Sequence, residues 1–121
     1  MKNYEKMSDF EVNAAVSMHV LWKNRHCEEV DCNDKTGVVS WADGANWHEF
    51  NPCNNPSDAW PIIFSSRIML NPYCADELWK AEVPCGFDGL FKEYATCYHR
   101  NPLRAAMIVF LMMRDKQCQK S

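Results

Sequence analysis

Glycine is scarce in this sequence. There are four glycines in 121 residues, and none belongs to a glycine-rich loop of the Walker or dinucleotide-binding type. A strong excess of one charge is also missing, because 13 basic residues face 16 acidic ones and the net charge is -3. This balance is too weak for a DNA mimic and has the wrong sign for a nucleic-acid binder. We therefore expect neither a nucleic-acid partner nor a cofactor.

Long hydrophobic runs are absent as well. No apolar stretch reaches the ~20 residues that a membrane-spanning helix needs, so we expect no membrane partner. The first residues are polar and lead directly into a helix signal, which predicts a cytoplasmic protein without a secretion signal. In the cytoplasm the seven cysteines would be in a reducing compartment, and their odd number also argues against a complete disulfide framework. The length predicts a single domain over residues 1–121.

The most informative segment present is 101–113. Asn101 is an N-cap residue and Pro102 takes the first helical position, so a helix begins there. No polar residue occurs from Ala105 to Met113, and a helix that is apolar all round is buried on every side. We expect a sheet on one face and a second helix or a second subunit on the other. A homo-oligomer follows unless the N-terminal helix covers this segment internally.

The other segments predict an α+β fold, a small layered sandwich with a mostly antiparallel sheet and N-terminal, central and C-terminal helices. The N-terminal helix begins at a capping box, Ser8-Asp9-Phe10-Glu11, and runs to about residue 22. The central helix runs from about Asp58 to Ser66 with Ser57 or Asn55 as its N-cap, and this places Pro61 in the first turn. Residues 23–36 lack periodicity and predict a loop.

Short β-branched and aromatic runs predict the strands. Residues 37–41 and 45–50 form a hairpin around the turn dipeptide Asp43-Gly44. Three later strands are predicted over residues 67–70, 78–83 and 94–99. The first of these stops at Asn71-Pro72 and the second at Pro84, with a turn at Phe87-Asp88-Gly89.

Three segments carry a resemblance to a known family. They are Met7–Asn13, Phe50–Ile63 and Asn101–Met113, about a third of the chain, and they resemble the NinX proteins of lambdoid and related phages. The layout is similar to small phage α/β/α sandwich domains. The resemblance implies a phage accessory protein in the cytoplasm of an infected bacterium, and it implies no catalytic residue.

Metal and nucleophile chemistry have weak signals. Cys27, Cys32 and Cys53 lie near His26 and His48, but no paired CxxC spacing occurs, so we expect no metal site. Cys53 precedes a helix start, where the helix dipole lowers a thiol pKa, and His48 offers a base. No local signature of a cysteine hydrolase accompanies them. We expect a protein that is not an enzyme, and we keep a Cys53–His48 hydrolase as an alternative.

Ligand binding has more support. Two helix N-termini provide free N–H groups for an anion, and the second has Arg100 and Arg104 beside it. Segment 51–58 is rich in asparagine, which is typical either of helix caps and Asx-turns or of a polar rim that recognises a ligand. Arg104 has the same ambiguity, since it either contacts a phosphate or simply faces solvent. The candidate ligand-binding residues are Asn54, Asn55, Asp58, Trp60, Arg67, Arg100 and Arg104.

Five tryptophans are many for this length. Trp22 and Trp60 fit core positions of helices, and core packing is the default for at least half of the five. The others lie on predicted strands or turns, where they pack in the core, stack on a base or anchor a protein partner. Tyr94 and Tyr98 alternate on one strand face with Thr96, which suggests a half-exposed aromatic face.

These observations favour a non-enzymatic phage accessory protein that neutralises a host defence. In the leading hypothesis it binds and sequesters a small nucleotide-derived signal in a pocket between subunits. The alternative is an inhibitor that binds a host defence protein directly through exposed aromatic residues.

Overall fold

The computed structural model of the protein describes residues 3–73 and 77–119. The helices are α1 (Asp9–Val20), α2 (Pro56–Ser66) and α3 (Pro102–Gln119), with short 3-10 turns at Tyr4–Lys6 and Leu21–Lys23. The strands are β1 (Glu29–Asn33), β2 (Val38–Ala42), β3 (Trp47–Phe50), β4 (Met69–Tyr73), β5 (Leu78–Asp88) and β6 (Phe91–His99). Within the described part of the chain, no helix is long and apolar enough to cross a membrane.

The strands form two three-stranded sheets, β1-β2-β3 and β4-β5-β6, and all four pairings are antiparallel. The α+β class and the antiparallel sheet are therefore confirmed. The Asp43-Gly44 hairpin is also confirmed, since the Asp43 N–H donates to the Asn46 carbonyl between β2 and β3. The capping box is confirmed too: the Ser8 side chain accepts a hydrogen bond from the Glu11 N–H, and the Glu11 side chain accepts one from the Ser8 N–H.

Helix α3 forms the centre of the core. Every residue from Arg104 to Leu111 is buried. Strands β5 and β6 cover one side of the helix, and α1 and α2 cover the other. The predicted burial on both sides is confirmed, and the covering is internal. A homo-oligomer remains a prediction, but the apolar helix no longer requires one.

The prediction of a loop over 23–36 is wrong, because β1 lies within it. Residues Glu29–Asn33 pair along β2 and are exposed or half-buried. An edge strand with charged side chains does not show the apolar alternation that marks a half-buried strand, and charges at an edge also discourage pairing with other chains. The pairing with β2 forms this strand, and its own pattern does not reveal it.

Prolines do not end the strands where the sequence predicts. β4 continues through Asn71-Pro72, which an edge strand tolerates because the missing N–H can face away from the ladder. β5 continues past Pro84, where the register with β6 shifts between Pro84 and Gly86. Such an irregularity accommodates a residue that cannot donate to a regular ladder. The tight turn that follows is shifted to Gly89-Leu90, with Gly89 at a φ of 63°.

Helix α2 begins earlier than predicted. Asn55 is the N-cap, its side chain accepting from the Ser57 N–H, and Pro56 occupies the first turn. Pro61 consequently lies inside the helix and not in its first turn. Arg67 is not a strand residue: it ends the helix in the left-handed conformation, with φ 58°.

The burial of α3 makes a direct prediction about stability. We expect Leu111→Ala to lower the free energy of unfolding by about 3 kcal/mol, because the removed side chain is fully buried and leaves a cavity. Urea denaturation measures the change. Leu90→Ala is the matched control, since Leu90 is 95% exposed and its truncation should change stability by less than about 0.5 kcal/mol. Equal effects of the two variants would contradict the central position of α3.

Candidate functional site

A polar network joins the start of α1, the loop before α2 and the start of α3. It consists of six side chains, which we call the polar junction: Asp9, Asn13, Asn51, Asn54, Asn101 and Arg104. Each of these six residues lies in one of the three segments that carry the family resemblance. Segments distant in sequence therefore meet at one place in the fold.

Arg104 is the buried cation of the junction, with 6% of its surface exposed. Its Nη1 donates to Asp9 Oδ1 at 2.6 Å, and its Nη2 donates to the backbone carbonyls of Tyr4, Glu5 and Met7. The expectation that Arg104 faces solvent is wrong. Its guanidinium instead fixes the N-terminal segment onto α3, which leaves these nitrogens engaged within the protein and not directed at an open site.

The asparagines complete the network through backbone groups. Asn13 Oδ1 accepts from the Cys53 N–H at 3.0 Å, and Asn101 Nδ2 donates to the Cys53 carbonyl at 2.7 Å. The Asn101 Oδ1 accepts from the N–H groups of Leu103 and Arg104 and so caps α3 as predicted. The loop at Cys53 is thereby held from both sides, by α1 and by the first turn of α3.

The candidate residues of the asparagine-rich segment take capping and bridging roles. Asn54 Nδ2 donates to Asp9 Oδ2 and Asn51 Oδ1, both at 3.1 Å. Asp58 Oδ2 accepts from the Asn51 N–H at 2.9 Å. With Asn55 as the N-cap of α2, these contacts favour the structural interpretation of the segment over a ligand rim. Arg100 is exposed at the end of β6.

The junction also perturbs the Asp9 carboxyl. Burial alone would raise its pKa, but the hydrogen bonds from Asn54 and Arg104 and the positive charge of Arg104 outweigh burial, and the pKa lies below its usual value. The ionised carboxylate is thus the form that the folded state favours.

The environment of Cys53 argues against a nucleophile. The residue is fully buried, and burial, with the negative charge of Asp9, raises the pKa of its thiol to about 12. A reactive cysteine needs the opposite shift and access to solvent. His48 lies in the β2–β3 hairpin, where its Nε2 is 2.9 Å from Asp43 Oδ2 and its ring packs on Trp41. Hydrogen bonding from His48 lowers the pKa of Asp43 to about 2.

Among the described residues, 3–73 and 77–119, no three side chains that could hold a metal ion form a group. Cys74 and the side chain of Cys118 lie outside what the structure describes. The five described cysteines, among them Cys27 and Cys32, are free thiols.

Two other candidate residues, Trp60 and Arg67, do come together. They line a shallow groove of about 370 Å³ between α2 and β4, which we call the aromatic groove; its walls are Trp60, Ile63, Phe64, Arg67, Ile68 and Leu70. Trp60 is 60% exposed and Phe64 is 73% exposed, with their ring centroids 6.3 Å apart. The groove thus presents two large aromatic surfaces and a guanidinium to solvent.

The core positions predicted for Trp22 and Trp60 are wrong, since both are more than half exposed. Trp47 is exposed too, whereas Trp41 is half-buried and packs against the core, so core packing for at least half of the five is wrong as well. Helix α2 buries Ala59, Ile62 and Ile63. Trp60 and Phe64, four residues apart, form a second apolar stripe beside that face. The helical spacing of the apolar residues in α2 is therefore the sequence signal that could have distinguished the exposed stripe from the buried one.

A wider depression of about 520 Å³ lies on the other side of α2, and sequence reasoning missed it. Its lining includes Lys23, Ser65, Phe110 and Arg114. These residues come from the 3-10 turn after α1, the end of α2 and the middle of α3, and no local pattern connects them.

The outer face of the β4-β5-β6 sheet carries the predicted half-exposed aromatic face. Tyr94 and Tyr98 are each 44% exposed, and Tyr98 contacts Tyr73 edge to face with ring centroids 5.3 Å apart. Between them, Thr96 donates to Glu82. The prediction of an aromatic face on β6 is confirmed.

Comparison with known protein families agrees with the resemblance carried by the three sequence segments. The family model described as Bacteriophage P22, NinX, matches residues 3–114, a range that contains the whole polar junction and the aromatic groove. No curated protein matches the chain.

The junction predicts a large cost for losing Arg104. We expect Arg104→Ala to lower the free energy of unfolding by roughly 3 kcal/mol, since three buried or part-buried backbone carbonyls and Asp9 lose their donor. Arg104→Lys should recover part of this loss, because it keeps the charge and lacks the planar fork. Urea denaturation measures both, with the exposed Arg100→Ala as control. An Arg104→Ala protein as stable as the control would refute the role of the junction.

The Asp9 carboxyl predicts a pH dependence. Its folded pKa lies below the ~3.9 of an unfolded chain, so its contribution to stability is complete above that pH and is lost as the pH falls through the folded pKa. We expect the urea midpoint of Asp9→Asn to fall less steeply from pH 5 to pH 2 than that of the wild type. Asp34→Asn, which removes an exposed carboxylate from the β1–β2 turn, is the matched control for the loss of one negative charge. Parallel slopes for Asp9→Asn and the wild type would contradict this assignment.

Proposed function

This chain belongs to the NinX family of phage accessory proteins, and from that premise we propose that it is a non-enzymatic counter-defence protein of the host cytoplasm that binds a host defence protein through the aromatic groove. The observation that carries the proposal is the exposure of Trp60 and Phe64 beside Arg67. Tryptophan and arginine are among the residues that contribute most to protein interfaces.

The energetics support a partner at this position. Burying an aromatic side chain stabilises a structure by ~1.5–3 kcal/mol, and α2 leaves two neighbouring aromatic rings largely in water. The helix keeps its separate buried face against α3, so the exposed stripe is not needed for folding. A partner that covers both rings gains their burial without disturbing the core.

A second candidate is the sequestration of a nucleotide-derived host signal. The observation in its favour is that Trp60 and Arg67 line the same groove, where an indole stacks on a base and a guanidinium binds a phosphate. Two points favour a protein partner instead. The groove is shallow and open, whereas small-molecule sites bury most of their ligand. Arg104, one of the two arginines expected to bind a phosphate at the start of α3, is engaged inside the polar junction.

Capture from a lysate of the host bacterium tests the proposal. We expect the immobilised wild-type protein to retain one stoichiometric host protein, and the double variant Trp60→Ala/Phe64→Ala to retain at least about tenfold less, as expected for the loss of interface anchors. Quantitative mass spectrometry of the eluates measures the ratio. Trp47→Ala is the matched control, because Trp47 is 55% exposed and lies on β3, away from the groove.

Calorimetry with cyclic and linear dinucleotides separates the two candidates. Binding of a dinucleotide by the wild type, lost in Trp60→Ala, would favour sequestration. If the double variant retains the host protein as well as the Trp47→Ala control does, the aromatic groove is not the binding surface.

A further inference from the structure

We propose that the aromatic groove receives an extended peptide segment of the partner protein, which pairs as an added strand with the outer edge of β4 and places a carboxylate against Arg67. This inference rests on the proposed function, since it names the part of the partner that the groove binds. Strand addition to an open sheet edge supplies affinity through backbone hydrogen bonds, and side-chain pockets supply specificity.

The register of β4 shows which backbone groups point outward. In an antiparallel pair, residues alternate between hydrogen-bonded and non-hydrogen-bonded positions. Pro72, opposite Trp79, cannot donate and therefore takes a non-hydrogen-bonded position. Leu70, two residues earlier, has the same phase, so its N–H and C=O point away from β5. Ile68 agrees with this phase, because its N–H donates to the Ile63 carbonyl at the end of α2 and not to β5.

The composition of β4 distinguishes it from the other strand edges. The remaining edge strands β1, β3 and β6 each carry acidic or basic side chains, which discourage pairing with another chain. The sequence of β4, Met-Leu-Asn-Pro-Tyr, carries no charge. Pro72 limits pairing to a short stretch around Leu70. Among the described strands, β4 is therefore the edge best suited to receive one short extended segment.

The groove supplies the side-chain contacts that such a strand needs. Leu70 lines the groove and packs against the core, so its side chain stands on the face of β4 that α2 overhangs. Alternate side chains of a strand paired with β4 point to that same face. They would enter the space between Leu70 and the rings of Trp60 and Phe64, and this requires apolar residues at alternate positions of the partner segment.

Charge fixes the remaining feature of the partner. Of the six residues that line the groove, Arg67 alone is charged, and it is exposed at the end of α2. A guanidinium binds a carboxylate in a paired, directional geometry. The bound segment is therefore expected to carry an aspartate, a glutamate or a terminal carboxylate beside its apolar residues.

Selection of a displayed library of random decapeptides on the immobilised full-length protein tests this inference. We expect enriched peptides with apolar residues at alternate positions and an acidic residue at one end. Selection on Arg67→Glu should replace the acidic residue by a basic one, a change of preference that a misfolded variant cannot produce. Enrichment of helical patterns, of basic peptides on the wild type, or of no peptide at all would overturn the inference.

Two variants of β4 test the backbone pairing. Leu70→Pro removes the outward N–H without touching the ladder to β5, and we expect it to bind a selected peptide at least about fivefold more weakly, as the loss of one hydrogen bond predicts. Leu70→Val keeps the N–H and should stay within about twofold of the wild type. A urea midpoint close to that of the wild type establishes that each variant is folded. Equal binding by Leu70→Pro and Leu70→Val would overturn strand addition.

The host protein separates failure of this inference from failure of the proposed function. If capture of the host protein requires Trp60 and Phe64 but is unchanged in Leu70→Pro and Arg67→Glu, the groove binds a partner by another mode and the inference is wrong. If capture does not require the two aromatic residues, the proposed function itself is wrong.

Discussion

The buried guanidinium of Arg104 is the interaction on which the rest of the fold depends. It lies at the start of the most buried helix and donates to Asp9 and to three carbonyls of the N-terminal segment. A buried charge is tolerated only when it is paired and its hydrogen bonds are satisfied. The N-terminal segment must therefore follow α3 closely, which positions α1 to cover the side of α3 that the β4-β5-β6 sheet leaves open.

This requirement explains why residues that look functional in the sequence have structural roles. A cluster of asparagines beside two arginines is typical of an anion site, yet Asn54, Asn101 and Arg104 bind one another, Asp9 and backbone groups. The same packing buries Cys53, and this burial, with the negative charge of Asp9, raises the pKa of its thiol. Polar groups that close the packing of three distant segments are engaged within the protein, and for this reason the recognition surface that we propose is the aromatic groove.

Local signals predicted most of the fold. The capping box at Ser8, the cap at Asn101 and the apolar run of α3 are each determined by neighbours in sequence, and each is confirmed. The errors have a common cause, since each depends on packing between elements and not on the local pattern of the segment. β1 and the passage of β4 through Pro72 depend on pairing with the next strand, and the exposure of Trp60 depends on which face of α2 packs on the core. Within the candidate site, Trp60 and Arg67 were predictable individually as binding residues, but their proximity arises only when α2 packs beside β4.

Helix α2 connects the core to the surface that remains. One of its faces packs on α3, and a neighbouring face carries two aromatic rings that nothing in the described chain buries. Since α2 ends at the left-handed Arg67 and the chain turns directly into β4, the exposed rings, the guanidinium and the uncharged strand edge occupy fixed relative positions. Because the backbone of this surface is already arranged by the fold, it does not have to order when a partner binds, and this lowers the entropic cost of association. The stability of the core and the proposed capacity to bind therefore depend on neighbouring faces of the same short helix.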